Sequence, residues 1–324
     1  MKRGLLCAVI VLAIAPLSLG QASATGAAQR ATASTLPERL GYPRDAKLLI
    51  VHADDLGMAH SVDAASVKAF ETGLVNSGSV MVSCPWFSEI AAYARSHTEA
   101  DLGLHLTLTS EWSLFRWGPV LSQDRVPSLL NRDGYLYPTE SEAAAHADAR
   151  QAEAEIRAQI ERARAFGLRP THLDSHMGTL YQNEPLFQVF LRVARDNKLP
   201  VRISSDWLDR APFIPTNLGP DDIVIDRIIE ISPGVPPEQW AAFYADAIKS
   251  LRPGITEIVV HLAYDDEEMR AATADHPDWG AGWRQRDFDF FTSASCRRLL
   301  QENHVKLITW GEVGRLIQRT QHAP

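Results

Sequence analysis

Asp54 and Asp55 stand side by side at the end of an apolar run, Leu48-Leu49-Ile50-Val51-His52-Ala53. Other apolar runs end on histidine: Leu102-Gly103-Leu104-His105, Thr171-His172-Leu173-Asp174-Ser175-His176, and Glu257-Ile258-Val259-Val260-His261. Carboxylates and imidazoles brought to one end of neighbouring parallel strands are the donor set of a divalent metal site. Successive residues of a strand point in different directions, so one aspartate is free to ligate. The other can then reach a water on the metal as general base.

His105 lies in Gly103-Leu104-His105-Leu106-Thr107-Leu108-Thr109, too apolar for a surface strand; a core histidine satisfied by one hydrogen bond suits that setting as well as a ligand. His172 and His176 are four apart, but Arg169-Pro170 and the β-like run favour a strand entering a loop over a helix. On a strand, 172, 174 and 176 share a face, which makes Asp174 a candidate to orient a ligand histidine. His261 could protonate a leaving amine from the far side of a substrate, or simply pack at the sheet edge.

These residues need a scaffold that aligns strand ends. Short β-rich runs at 47–53, 77–83, 102–108, 170–175, 200–204, 257–262 and 305–310 alternate with amphipathic stretches such as 61–73, 86–96, 141–166 and 185–197. Gly167 offers a C-terminal stop for the third stretch, and Pro236-Pro237 open a further helix containing Trp240, Phe243 and Tyr244. Repeated strand–helix alternation makes a parallel sheet, and the number of units predicts a single-domain α/β fold: a closed or nearly closed (β/α) barrel of about seven parallel strands over residues 46–320. A doubly wound open sheet is the alternative.

Residues 110–138 form a long connection containing Trp112, Phe115, Trp117, Tyr135 and Tyr137, and Trp279, Trp283, Arg284 and Arg286 form a second cluster. Long loops are commonly functional, and aromatic faces suit sugar rings, so Trp112, Trp117 and Arg284 are candidate substrate contacts; satellite core beneath a loop is the other reading.

Met1-Lys2-Arg3 followed by apolar Gly4 to Leu19, with Ala22-Ser23-Ala24 after it, has the pattern of an export signal over 1–24. Residues 25–45, rich in Ala, Thr, Ser and Gln, read as a flexible tether. A periplasmic or secreted protein is expected, without stable membrane insertion. The formal net charge of −8 argues against nucleic acid as a partner and for an uncharged one. Cys84 and Cys296 would remain after cleavage, either paired or as separate buried thiols. Oligomeric state is not written in these features.

In its order of motifs the chain resembles the YdjC-like carbohydrate deacetylase family, which includes chitooligosaccharide deacetylases and is related to polysaccharide deacetylases. The resemblance rests on His52-Ala53-Asp54-Asp55-Leu56-Gly57, Gly73-Leu74-Val75-Asn76-Ser77, the Gly103–Thr109 run, Pro170-Thr171-His172-Leu173-Asp174-Ser175-His176 and the run ending at His261, and spans roughly residues 47–315. It implies a distorted β/α barrel that uses one divalent metal (Zn, Mg, Mn, Co or Ni) to hydrolyse an N-acetyl group on a carbohydrate. By the same resemblance Asp54 is the base, Asp55, His105 and His176 are the ligands, and His261 is the acid, with His172 a further ligand candidate. The chain departs from the family pattern after His176, where Met177-Gly178 follow, and after His261, where Leu262-Ala263 follow. Two other functions use the same residues differently: a glycan-binding protein with altered catalysis, and a non-haem iron oxygenase with a two-His, one-carboxylate site.

Overall fold

Lys47–Leu56 is the longest strand, β1, and all but its first residue are buried. That is why the run reads as continuously apolar: a parallel strand covered on both faces has no solvent side to alternate with. The computed structural model describes residues 34–320. The expected export signal, 1–24, and the first part of the expected tether lie outside them. The tether's last ten residues are not free chain, because Leu36–Leu40 form a helix whose Leu36 and Leu40 pack, with Tyr42, on a small cluster around Leu48, Ile50, Ile255 and Trp310.

The other strands are β2 (Ser77–Val80), β3 (Leu102–Leu106), β4 (Leu173–Ser175), β5 (Arg227–Glu230), β6 (Gly254–Val260) and β7 (Val305–Leu307). All pair in parallel, in the order β4-β3-β2-β1-β6-β5, with β7 against the start of β1. The segment expected as a strand at 200–204 makes single bridges instead, Leu173 to Val201 on one side and Ser204 to Ile225 on the other. Those bridges link the β4 edge towards the β5 side, and the sheet curls into a distorted barrel. The described residues from Leu36 onward form one compact unit.

Two departures from expectation have local causes. β5 is preceded by Asp226 and has Arg227 and Glu230 at its two ends, so its apolar signal is weak, yet Asp226 accepts from Ile255 N at 2.7 Å and fixes it beside β6. The single helix expected over 141–166 is two, Glu140–His146 and Ala149–Ala165, because Asp148 caps the second, accepting from Arg150 N and Gln151 N. The second helix positions the site: its buried Glu155 accepts from Val120 N and Leu121 N, and its Gln159 exchanges hydrogen bonds with Thr107 at the end of β3. Among the described residues no helix is long and apolar enough to cross a membrane. Cys84 and Cys296 are separate buried thiols.

Candidate functional site

Between Ala53, opposite Gly78, and Leu56, opposite Val80, β1 carries one residue more than β2. This bulge falls on the aspartate pair, and Asp55 takes a left-handed conformation, φ 70°, which costs a non-glycine residue about 1–2 kcal/mol. Its consequence is that both carboxylates face one interior point. Asp55 Oδ1 lies 3.4 Å and Asp54 Oδ2 3.7 Å from His105 Nε2. The two aspartates therefore do not diverge as a regular strand would have them. They are distinguished by partners instead.

His105 and Asp174 are register partners across β3 and β4. His105 Nδ1–H donates to Asp174 Oδ1 at 2.6 Å, which turns Nε2 towards Asp55. His176 follows β4 at the head of a turn in which Met177 and Gly178 are both left-handed, and its Nδ1 lies 3.5 Å from Asp55 Oδ1. The opposite nitrogen, Nε2, is 3.0 Å from Glu111 Oε2. Asp55, His105 and His176 thus meet, with one donor atom from each within 4.8 Å of the others.

These three residues fit a divalent cation. Asp55 Oδ1 is buried with no hydrogen-bond partner, while its other oxygen, Oδ2, is 2.8 Å from Arg284 Nη1. Each imidazole has its second nitrogen against a carboxylate, Asp174 or Glu111, the arrangement that holds a neutral ring with its free nitrogen towards a metal. Without a cation, burial disfavours the charged rings but the carboxylates prevail: His105 is raised well above the usual histidine range by Asp54 and Asp174, and His176 is raised to about 9 by Glu111 and Asp55.

Asp54 belongs to a second set of contacts. Arg202 Nη1 and Nη2 hold its two oxygens at 3.0 and 2.7 Å, and the same guanidinium reaches Asp174 Oδ2 at 2.8 Å and Glu257 Oε1 at 3.1 Å. Burial opposes ionisation of Asp54, yet Arg202 and then His105 overcome it and hold the carboxyl well below the usual range. Neither Arg202 nor Glu111 stood out in the sequence. An arginine inside the apolar run Pro200-Val201-Arg202-Ile203 was the available signal, since a buried cation requires partners.

His172 lies apart from the Asp55–His105–His176 group and falls instead into a second group of possible ligands with His52 and Asp174. Its ring stacks on Trp310, 5.5 Å between centroids, and stands edge-on to His52 at 4.9 Å. Nδ1 lies 2.9 Å from Thr171 Oγ1, and burial, with His52 beside it, holds the ring well below the usual histidine range. His172 precedes β4 and His176 follows it, and about 6.6 Å separates alternate residues of an extended chain, so His172 falls in a layer beneath the site. Gly103 makes room there: a Cβ on it would sit 2.3 Å from His172 Nε2.

His261 ends β6 on the cavity wall, its ring 5.1 Å from Trp283 and 5.9 Å from Trp279. Burial pushes it down to about 4 against the pull of Asp55 and Asp54. Of the aromatic candidates, Trp112 lines the cavity and Trp117 does not. Trp112 and Trp117 are only 1% and 3% exposed and stack edge-to-face on each other at 5.8 Å. Trp117 Nε1 donates to Thr109 O, so this tryptophan anchors the long connection from beneath. Trp112 and Arg284 reach the cavity wall, but the Arg284 guanidinium is spent on Asp55 and lies over Trp112, 5.7 Å from its centroid.

The cavity above the carboxylates measures about 790 Å³. Asp54, Asp55, His105 and His176 border it on one side, and Met177, Trp207, Phe213 and Trp279 supply apolar surface on the others. Trp207 and Phe213 come from the segment after 204, which sequence reading left without a role. The cavity joins a floor of carboxylates and imidazoles to an apolar, partly aromatic wall, in the size range of small-molecule sites.

Comparison with known proteins follows the same lines. The profile of the family described as YdjC-like protein matches residues 48–302. A carbohydrate deacetylase of Thermus thermophilus is 33% identical over 293 residues, covering 86% of this chain and 97% of that protein. One from Geobacillus stearothermophilus is 29% identical, covering 82% and 98%. A solved protein of Enterococcus faecalis V583, provisionally named for cellobiose-phosphate cleavage, superposes with a TM-score of 0.68 at 25% identity, covering 82% of this chain and 98% of its own.

Proposed function

The chain belongs to the YdjC-like family, and on that premise we propose that it is a metal-dependent hydrolase that removes the N-acetyl group from a carbohydrate, cleaving a linear amide. The observation that carries this reading is the convergence of His105 Nε2 and His176 Nδ1 on the unpartnered Asp55 Oδ1, with ionised Asp54 alongside. Relatives named carbohydrate deacetylase support the substrate class.

Asp55, His105 and His176 would hold one divalent ion, which when bound polarises the acetyl carbonyl and acidifies a water. Nitrogen and carboxylate donors of this kind accept Zn, Mg, Mn, Co or Ni. Asp54, fixed by Arg202, takes a proton from the attacking water. The water oxygen bonds to the acetyl carbon, the C–N bond breaks, and the amine leaves with a proton from the His261 side of the cavity. Arg284 keeps Asp55 in its bulged conformation, and Asp174 and Glu111 keep the two rings in register.

Acetate release from a panel of N-acetylated oligosaccharides, before and after chelation and with each metal restored, tests the reading. Release that disappears on chelation and returns with one metal is expected; none from any substrate with any metal overturns it. An oxygenase would leave the Asp54–Arg202 pair without a task, and a glycan-binding protein would not need Asp54 kept ionised. Export to the periplasm or medium remains part of the proposal, supported by Met1-Lys2-Arg3 and the apolar Gly4–Leu19. Cell fractionation that finds the full-length chain in the cytoplasm refutes that part.

A further inference from the structure

β5 brings one carboxylate into the cavity that the reaction above does not use. Glu230 is the register partner of Val259 on β6, and His261 lies two residues beyond Val259 on the same face. Strand geometry therefore sets Glu230 and His261 side by side on the inward wall, with Glu230 Oε1 3.8 Å from His261 Nε2. That separation is one side-chain rotation or one bridging water from a hydrogen bond, as is usual for a catalytic pair without substrate.

The two nitrogens of His261 are not equivalent. Nδ1 is buried beside the tryptophans with no hydrogen-bond partner, so Nε2 is the atom turned to Glu230. At neutral pH the ring, pushed down to about 4, has no spare proton to give. Glu230 is placed oppositely. It lines the cavity with its side chain 47% exposed; without a cation, partial burial and then Asp54 push it up to about 7, helped by Asp55 and Asp287 and opposed by Arg202.

We propose that Glu230 is the proton source for the departing amine, its carboxyl O–H held on His261 Nε2 in the cavity that Asp54 also lines. The inference rests on the hydrolase reading and adds a residue to it. In the step, the water's proton goes to Asp54 as its oxygen bonds to the acetyl carbon. The C–N bond breaks towards nitrogen, and nitrogen takes the proton held between Glu230 and His261. Proton exchange with solvent returns Asp54 to carboxylate and Glu230 to carboxyl. No oxidant or second substrate is needed.

The leaving group provides the test. An amine must be protonated to depart, whereas a nitrophenolate leaves without a proton. Wild type and Glu230→Gln, both metal-loaded, are compared on a di-N-acetylated disaccharide and on nitrophenyl acetate. The expected result is an amide-to-ester rate ratio lowered by about 100-fold or more in the variant, with the alkaline fall in wild-type amide turnover absent from what remains. A ratio within threefold of wild type overturns the inference while leaving the hydrolase reading in place. A wild type that releases no acetate from any amide removes both. If Glu230→Gln does not fold, Glu230→Asp is read instead, and an unmoved alkaline limb overturns the proposal.

Discussion

Arg202 grips both oxygens of Asp54, Nη1 on Oδ2 at 3.0 Å and Nη2 on Oδ1 at 2.7 Å, from a segment 148 residues away in the chain. The pair decides the protonation of Asp54, because burial alone would push its carboxyl up and the guanidinium reverses the direction. Arg202→Met should therefore raise the Asp54 pKa. The acid limb of the pH–rate profile then moves to higher pH, and turnover at neutral pH falls. Arg202→Lys should recover part of the shift, since a point charge replaces a two-pronged contact.

The same substitution tests stability. Asp54, Asp174 and Glu257 all face Arg202, so its removal leaves three buried carboxylates short of a cation, at a cost of about 3–5 kcal/mol. The sign with pH follows from Asp54: its folded pKa is depressed, so its stabilising contribution is complete above the unfolded carboxylate value and is lost as pH falls through the folded one. Denaturant unfolding from neutral to acid pH should show wild type losing its advantage over Arg202→Met. An advantage that does not change with pH would contradict the assignment.

Much of this was legible because strand ends are legible. His105 closing one apolar run and Asp174 lying two residues from His176 on another follow from period-two alternation, and the register then makes His105 and Asp174 neighbours. The bulge at Asp54-Asp55 was not legible, since it depends on how β1 meets β2 and register is a pairwise property. Arg202 and Glu111 act through partners far away in sequence, and β5 was hidden by the charges that flank its two isoleucines. The aromatic residues could not be sorted for a general reason: tryptophan on a long connection reads the same whether, like Trp112, it reaches the cavity wall or, like Trp117, it pins the loop to the core.

Asp174 should govern metal affinity without touching the metal. Asp174→Asn weakens the acceptor for His105 Nδ1–H and removes a charge facing Arg202. A 10–100-fold loss of affinity in a calorimetric metal titration is expected, with the number of ions bound unchanged.

His172 and His176 should separate cleanly. His176→Leu abolishes metal uptake, whereas His172→Leu leaves it intact, because His172 sits against Trp310 and Gly103 in the layer below. Gly103→Ala forces a methyl into the space of the His172 ring and should destabilise by about 1–3 kcal/mol. Combining it with His172→Ala relieves the collision, so the double variant should be less destabilised than the two single effects added. Strict additivity in thermal unfolding would rule out this packing account.

Trp117 and Trp207 divide core from cavity. Trp117, 3% exposed and bonded to Thr109 O, holds the connection after β3 onto the barrel; Trp117→Ala should cost about 3–5 kcal/mol of folding stability. Trp207 lines the cavity, with the Arg210 guanidinium 5.6 Å from its ring centroid, and offers aromatic surface to a sugar there. Trp207→Ala should leave the melting temperature within a few degrees of wild type and raise KM several-fold, the equivalent of about 0.5–1.5 kcal/mol of aromatic contact. Steady-state kinetics and thermal unfolding on both variants decide the matter, since a KM effect confined to Trp117→Ala would reverse the assignment of the two rings.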